Sequence, residues 1–348
     1  MVELFMQYGL FLAETITFVI AFVVILAAIA GFSSKNKKSD EGYVETKNLN
    51  EEYALVKASI QHEILDKDQL KTIGKKNKSV EKEKAKKAKN GSIERRKRTY
   101  VLSFDGDIKA SAVESLRREI TAILSVAEPK DEVVLVLESS GGMVHAYGLA
   151  ASQLDRIKKQ NISLTICVDK VAASGGYMMA VLADKILAAP FAVLGSVGVV
   201  AQLPNFHRLL KKNDIDIELL TAGEHKRTLT MLGENTEKGR EKFIEELEET
   251  HTLFKEFVSD SRPQLDISAI ATGEVWYGKQ AIGNQLIDEL MTSDEYIMGS
   301  CDNADVYQVT YTEKKSVADK LGLSIQHVID RALLAWKSHS VKDRFSHK

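Results

Sequence analysis

From Thr99 onward, short β-branched apolar runs alternate with apolar residues at helical spacing, and this rhythm constrains the fold more than any other feature of the chain. Tyr100–Phe104 reads as a strand, and Val113, Leu116, Ile120, Ile123 and Leu124 recur as one face of a helix. Glu132–Leu137 is a compact apolar run of the kind a strand buried on both faces requires, and a glycine turn leads from it into a helix near Ala146–Lys158. Ile162–Val168 is the next strand, a helix follows through Tyr177–Leu182, and Lys185–Ala189 and Val193–Val200 continue the alternation. Repeats of this length predict an α/β fold with a mostly parallel sheet and crossover helices. Ile186–Leu203 is apolar enough to resemble a membrane span, but Pro190, Gly195, Gly198 and Pro204 break it into short strands and turns. Further on, Glu237–Ser259 reads as a long amphipathic helix with Phe243, Leu247, Phe254, Phe257 and Val258 on one side.

Two Gly-Gly turns stand where predicted strands run into helices. Ser139-Ser140-Gly141-Gly142 follows one strand, and Ala173-Ser174-Gly175-Gly176 follows another. Parallel neighbours would bring both turns to the carboxyl edge of the sheet, where α/β proteins build their sites. A serine at such a turn, with small neighbours, can present Oγ outward, and the exposed N–H groups can receive a developing negative charge. Serine needs a base, and His or Lys can serve. His145 is the only histidine of the early core, and its position just inside a helix suits a surface or capping residue, so no Ser-His-Asp trio emerges. Lys226, in Gly223-Glu224-His225-Lys226-Arg227-Thr228, is by spacing alone one lysine among many.

The amino-terminal end carries a different signal. Thr15–Phe32 holds 18 residues without a formal charge, enough to cross a bilayer as a helix. Ala28-Ile29-Ala30 resembles a cleavage site, but no Lys or Arg precedes the run, and Glu3 and Glu14 are acidic, which favours an uncleaved anchor at residues 1–32. Lys35, Lys37 and Lys38 would face the following domain to the cytoplasm by the positive-inside rule. Residues 33–98 read as a charged, Lys-rich linker centred on Glu81–Lys89 and closed by Arg95-Arg96-Lys97-Arg98, a solvated tether in preference to a segment lying on anionic lipid. With a net charge of −2 and no aromatic residues among the lysines, nucleic-acid binding is not expected. Cys167 and Cys301 stand far apart, so neither a disulfide framework nor a zinc site is expected.

Four ordered segments now carry a resemblance. Glu-Ser-Ser-Gly-Gly-Met-Val (Glu138–Val144), Val-Ala-Ala-Ser-Gly-Gly-Tyr-Met-Met-Ala (Val171–Ala180), Gly-Ser-Val-Gly-Val-Val (Gly195–Val200) and Gly-Glu-His-Lys-Arg-Thr (Gly223–Thr228) resemble the signal peptide peptidase A family of Ser/Lys peptidases. The likeness extends over nearly the whole chain and includes Thr272–Gly278 and Gly283–Asp288.

It implies a Clp protease/crotonase-like parallel-sheet superhelix for residues 99–348, ending in a helical extension. It assigns Ser174 as nucleophile, Lys226 as general base, Ser196 as the hydroxyl that holds the lysine amine, and Gly142 and Gly175 as oxyanion donors. No metal or other cofactor is implied. The expected protein is a serine endopeptidase of the bacterial inner (cytoplasmic) membrane that acts on membrane-released or unfolded peptides. In single-copy relatives of this kind the dyad is expected to form between protomers of a homo-oligomeric ring. Members of the family usually carry Ser-Pro-Gly-Gly, whereas Ser140 stands at the proline position here, which would loosen the turn without removing its donors. A crotonase-fold acyl-CoA enzyme and a non-catalytic membrane scaffold are the competing readings.

Overall fold

A computed structural model describes residues 2–34, 42–75, 79, 95–223 and 225–313. It divides into two compact units, one formed by residues 1–43 with 312–348 and the other by residues 44–311. The described part of the first unit is dominated by helix α1 (Val2–Ser34). Met6–Val23 within it is an 18-residue window of mean hydropathy 1.6 with no buried residue, long and apolar enough to cross a membrane; a signal sequence would meet the same criterion.

The second unit is a mixed α/β domain with a parallel-dominated sheet. It opens with β1 (Gly42–Asn48, entering from the first unit) and α2 (Leu49–Ile64). Both lie inside the stretch 33–98, read from sequence as a charged, partly helical linker. Apolar anchoring explains the difference: Leu49 and Tyr53 of α2 pack with Val101, Val134, Ile297 and Val306, and the Asn48 side chain accepts from the Glu51 N–H to cap the helix. The centre of that stretch, Glu81–Lys89, lies outside the described residues, as do Lys35–Lys38 and the expected helical extension beyond residue 313.

The basic run at 95–98 is tied into the entrance of β2 (Lys97–Gly106). Arg95 pairs with Glu128 and Asp131, both at 2.6 Å, Arg96 with Asp305 at 3.0 Å and Lys97 with Glu132 at 2.7 Å. Burial alone would raise the Asp131 carboxyl, but the N–H groups of Glu128 and Arg98 and the Arg95 guanidinium outweigh it and hold it below the usual carboxylate range.

Then follow α3 (Val113–Leu124), β3 (Glu132–Ser139), α4 (Val144–Lys159), β4 (Ser163–Val168), β5 (Val171–Ala173), α5 (Gly175–Ala180), β6 (Lys185–Ala188) and β7 (Val193–Gly195). After an irregular stretch that holds α6 (His207–Lys212) come α7 (Glu237–Ser261), α8 (Ile267–Ile270), β8 (Val275–Tyr277), α9 (Gly278–Ala281), β9 (Glu289–Leu290), α10 (Ser293–Asn303) and β10 (Ala304–Glu313). The strand expected to run from Val193 to Val200 ends at Gly195, where Gly195 and Ser196 both take positive φ (95° and 51°) and turn the chain out of the sheet.

The main sheet runs β1-β10-β2-β3-β4-β6-β9. Alternate residues feed two cores: Tyr100, Leu102, Phe104, Leu135 and Leu137 pack under α3 and α4, while Val101, Val134, Cys167 and Leu187 face α10 and α2. Two free thiols accompany this arrangement, and burial pushes Cys167 up to about 12, which keeps it an inert core residue. The sheet forks at the carboxyl end of β3. Glu132–Val136 pair with β4, but Ser139 pairs with Ala172 of β5, and β5, β7 and β8 continue as a side branch. Asp169 and Lys170, between β4 and β5, redirect the chain into that branch.

Candidate active site

The branch brings the serine motifs together. Strands β5 and β7 are parallel with Ala173 opposite Gly195, so Ser174 and Ser196 are the next residue out from each. Ser174 takes φ 51° and ψ −116°, a strained conformation for a residue with a Cβ that costs about 1–3 kcal/mol and aims the side chain away from the strand path. Its N–H donates to the Gly195 carbonyl at 2.8 Å, and its own carbonyl accepts from the Met178 N–H at 2.9 Å, fixing both sides of the turn. Ser196 shares φ 51° and donates its N–H to the Glu274 carbonyl at 2.6 Å.

The Gly141–Gly142 turn lies directly against Ser174. Gly141 has φ 89°, and a Cβ there would fall 2.7 Å from Ser174 Cβ and 2.8 Å from the Gly175 nitrogen, so only glycine allows this approach. A Cβ on Gly175 would collide with the Tyr147 ring, which is why α5 can start on top of α4. Among the described residues, no hydrogen bond within the chain engages the N–H of Gly142 or of Gly175. Despite the missing proline the turn is tied down: the Gly141 N–H donates to Ser139 Oγ at 3.1 Å and the Met143 N–H to the Ile108 carbonyl at 2.9 Å.

Ser174 opens into a cavity of about 370 Å³ walled by α4, by Gly198–Val200 and by α7. Leu253, Phe254 and Phe257 of α7 line it, so two residues of the apolar face expected on this helix, Phe254 and Phe257, serve as cavity wall. Of the hydroxyls on the walls besides Ser174, Ser152 and Thr250 turn back on their own helices, to the Gly148 and Glu246 carbonyls, each at 2.8 Å, and Tyr147 donates to the Asp107 carbonyl, which leaves the lining apolar in effect.

His145 is exposed on the first turn of α4 and does not line the cavity. Lys226 does not line it either: it is exposed, in an irregular segment, with its N–H bonded to the Gly223 carbonyl at 3.3 Å. Thus Ser174, Ser196, Gly142 and Gly175 gather around one turn of the branch, and Lys226 stands on a surface segment. Tyr147 and Gly148, to which the sequence pattern gave no role, line the same cavity, and Ser139 of the first Gly-Gly turn bonds Tyr147. A Gly inside an otherwise regular helix was the one sequence signal that could have pointed to the cavity, since it costs about 1 kcal/mol relative to Ala there.

A strained serine beside two unengaged N–H groups and an apolar cavity, at the carboxyl edge of a parallel sheet, is the layout of a hydrolytic enzyme. Residues 3–154 match the family model for the peptidase family S49 N-terminal region, and residues 156–306 match that for peptidase family S49 itself. The chain is 51% identical over 322 residues to the probable protease SohB of Haemophilus influenzae, covering 90% of this chain and 91% of that protein. It is 44% identical over 315 residues to the putative protease SohB of Buchnera aphidicola, covering 88% and 90%. The putative signal peptide peptidase SppA of Enterococcus faecium is 27% identical over 181 residues, about half of each chain (51% and 52%). The chain belongs to peptidase family S49, and it is a peptidase.

Proposed function

We propose that this peptidase is a membrane-anchored serine endopeptidase in which Ser174 is the nucleophile and Lys226 the general base. The observation that carries the reading is the strained Ser174 turn, packed against Gly141 and opening on an apolar cavity. Ser174 Oγ attacks the peptide carbonyl carbon while its proton passes to the neutral Lys226 Nζ. The Gly142 and Gly175 N–H groups receive the oxyanion. Collapse breaks the C–N bond and the leaving amine takes the proton from Lys226; a water, deprotonated by the now neutral Lys226 Nζ, attacks the ester, and Lys226 returns that proton to Ser174 Oγ as the acid product leaves. Ser196, one residue beyond the strand that neighbours Ser174, would hold the lysine amine in line. No step calls for a metal or other cofactor.

Three further features support finer parts of the reading. The forked sheet, in which β4 and β5 follow each other through a two-residue bend, fits a Clp protease/crotonase-like superhelix. The uncovered apolar helix Met6–Val23 fits an anchor in lipid at the bacterial inner membrane. Lys226 sits in a segment that exposes Val200, Phe206, Leu209, Ile215, Leu219 and Leu220 to solvent, with Val200 90% and Leu220 88% exposed. Apolar surface of that extent calls for a partner. A second copy of the chain, in a ring, would cover it and deliver Lys226 to the neighbouring Ser174.

The cavity favours peptides with a large apolar side chain at the attacked carbonyl, as membrane-released or unfolded segments supply. Gly148 sets its depth, because a Cβ built there meets nothing within 4 Å. Gly148→Leu is expected to lower kcat/KM about 100-fold for peptides with leucine or phenylalanine at that position and to spare those with alanine. Parallel losses across all side chains would refute this assignment of the cavity.

The reading itself is tested by a fluorophosphonate probe on the full chain in detergent. Label is expected on Ser174, and its absence from Lys226→Ala protein is expected with it. Wild-type protein that takes no label at Ser174 would overturn Ser174 as the nucleophile.

A further inference from the structure

Beside the proposed oxyanion turn lies a chain of hydrogen bonds in which every proton has one place to go. The Tyr147 hydroxyl donates to the Asp107 carbonyl at 2.8 Å. Its only proton is thereby used, so the Ser139 hydroxyl, 2.6 Å away, donates to Tyr147 Oη. Ser139 Oγ in turn accepts the Gly141 N–H at 3.1 Å. Both side chains are buried, Tyr147 completely. Burial pushes the phenol up from its ordinary range, more than the Ser139 contact lowers it, so it remains a donor at any working pH.

The far end of the chain is firm. The Asp107 carboxylate grips the Ser111 N–H at 2.7 Å and hydroxyl at 2.8 Å, and the next carbonyl, Ile108, holds the Met143 N–H on the other side of the turn. Gly106 leaves the space, since a Cβ there would come 2.5 Å from Ser139 Oγ and 2.6 Å from Tyr147 Oη.

We propose that Ser139 and the Tyr147 hydroxyl clamp the Gly141–Gly142 turn to the Asp107–Ile108 loop, and so position the Gly142 N–H beside Ser174 for the transition state. Ser139 and the Tyr147 hydroxyl are positioning groups that act through the turn; the Tyr147 ring also lines the cavity, which is why the test removes the hydroxyl and keeps the ring. The proposal rests on Ser174 acting as the nucleophile, and its test separates the two.

Tyr147→Phe keeps the ring against Gly175 and removes only the hydroxyl; Ser139→Ala removes the neighbouring link. In the full chain in detergent, with active sites titrated by the phosphonate, each is expected to lower kcat about tenfold with KM within about twofold. Hydrogen exchange across residues 139–143 is expected to speed up in both. The double variant is expected to lose no more than the worse single one, because both changes break one chain. Unchanged kcat per titrated site, unchanged exchange, or additive losses would each overturn the clamp. A variant that merely folds less well would lose titratable sites and thermal stability while kcat per site held, which also overturns it. Should Ser174→Ala cleave as well as wild type, the nucleophile assignment falls instead, and the exchange measurement still decides the clamp.

Discussion

Replacing Ser174 with alanine is expected to lower peptide cleavage by about four to six orders of magnitude with the fold intact, because the nucleophile and its base act as a unit. The substitution removes one oxygen from a half-buried position whose backbone is held by the Gly195 and Met178 hydrogen bonds, and neither bond involves the side chain. Thermal stability should therefore hold, and substrate should still bind in the cavity below. Residual cleavage above the uncatalysed rate would come from the Gly142 and Gly175 N–H groups alone. A Ser174→Ala protein that cleaves within tenfold of wild type would rule out the serine mechanism, whatever the fold.

The second large effect concerns Lys226. Lys226→Ala alone is expected to be as inactive as Ser174→Ala, since serine without a base is a weak nucleophile. Mixing the two dead proteins is expected to restore cleavage. In the proposed ring each interface would need an intact Ser174 from one protomer and an intact Lys226 from its neighbour, so random mixing would complete about one quarter of the sites. The structural ground is that Lys226 is exposed on an apolar, irregular segment and absent from the cavity wall of its own chain. Mixed assemblies that form but stay inactive would place the base elsewhere.

The strand–helix alternation was legible because a parallel sheet buried on both faces writes itself as continuous apolar runs. Val113, Leu116, Ile120 and Ile123 did become the buried face of α3, and Glu132–Leu137 did become the central strand β3. Strand β5 was not legible, because three residues between a bend and a serine turn carry no periodicity. Nor were β1 and α2, whose polar composition hides the two anchors, Leu49 and Tyr53, that dock them. Phe254 and Phe257 were read correctly as an apolar face, but no pattern tells a face that meets the core from one that walls a cavity.

What the sequence determined by itself is therefore local: the alternation, the two Gly-Gly turns, the apolar amino-terminal helix, and the motifs that mark a family S49 peptidase. Each depends on residues close together in the chain. Only the tertiary structure decided that the sheet forks at Ser139, that Gly141 rests on Ser174, and that Tyr147 ties the turn to the Asp107 carbonyl. These contacts join residues 33 to 40 positions apart in the chain (Ser174 to Gly141, Tyr147 to Asp107), and they exist because the carboxyl end of β3 pairs with β5 on one side and with β2 on the other. Long-range pairing is a property of packing, and no local pattern of residues encodes it.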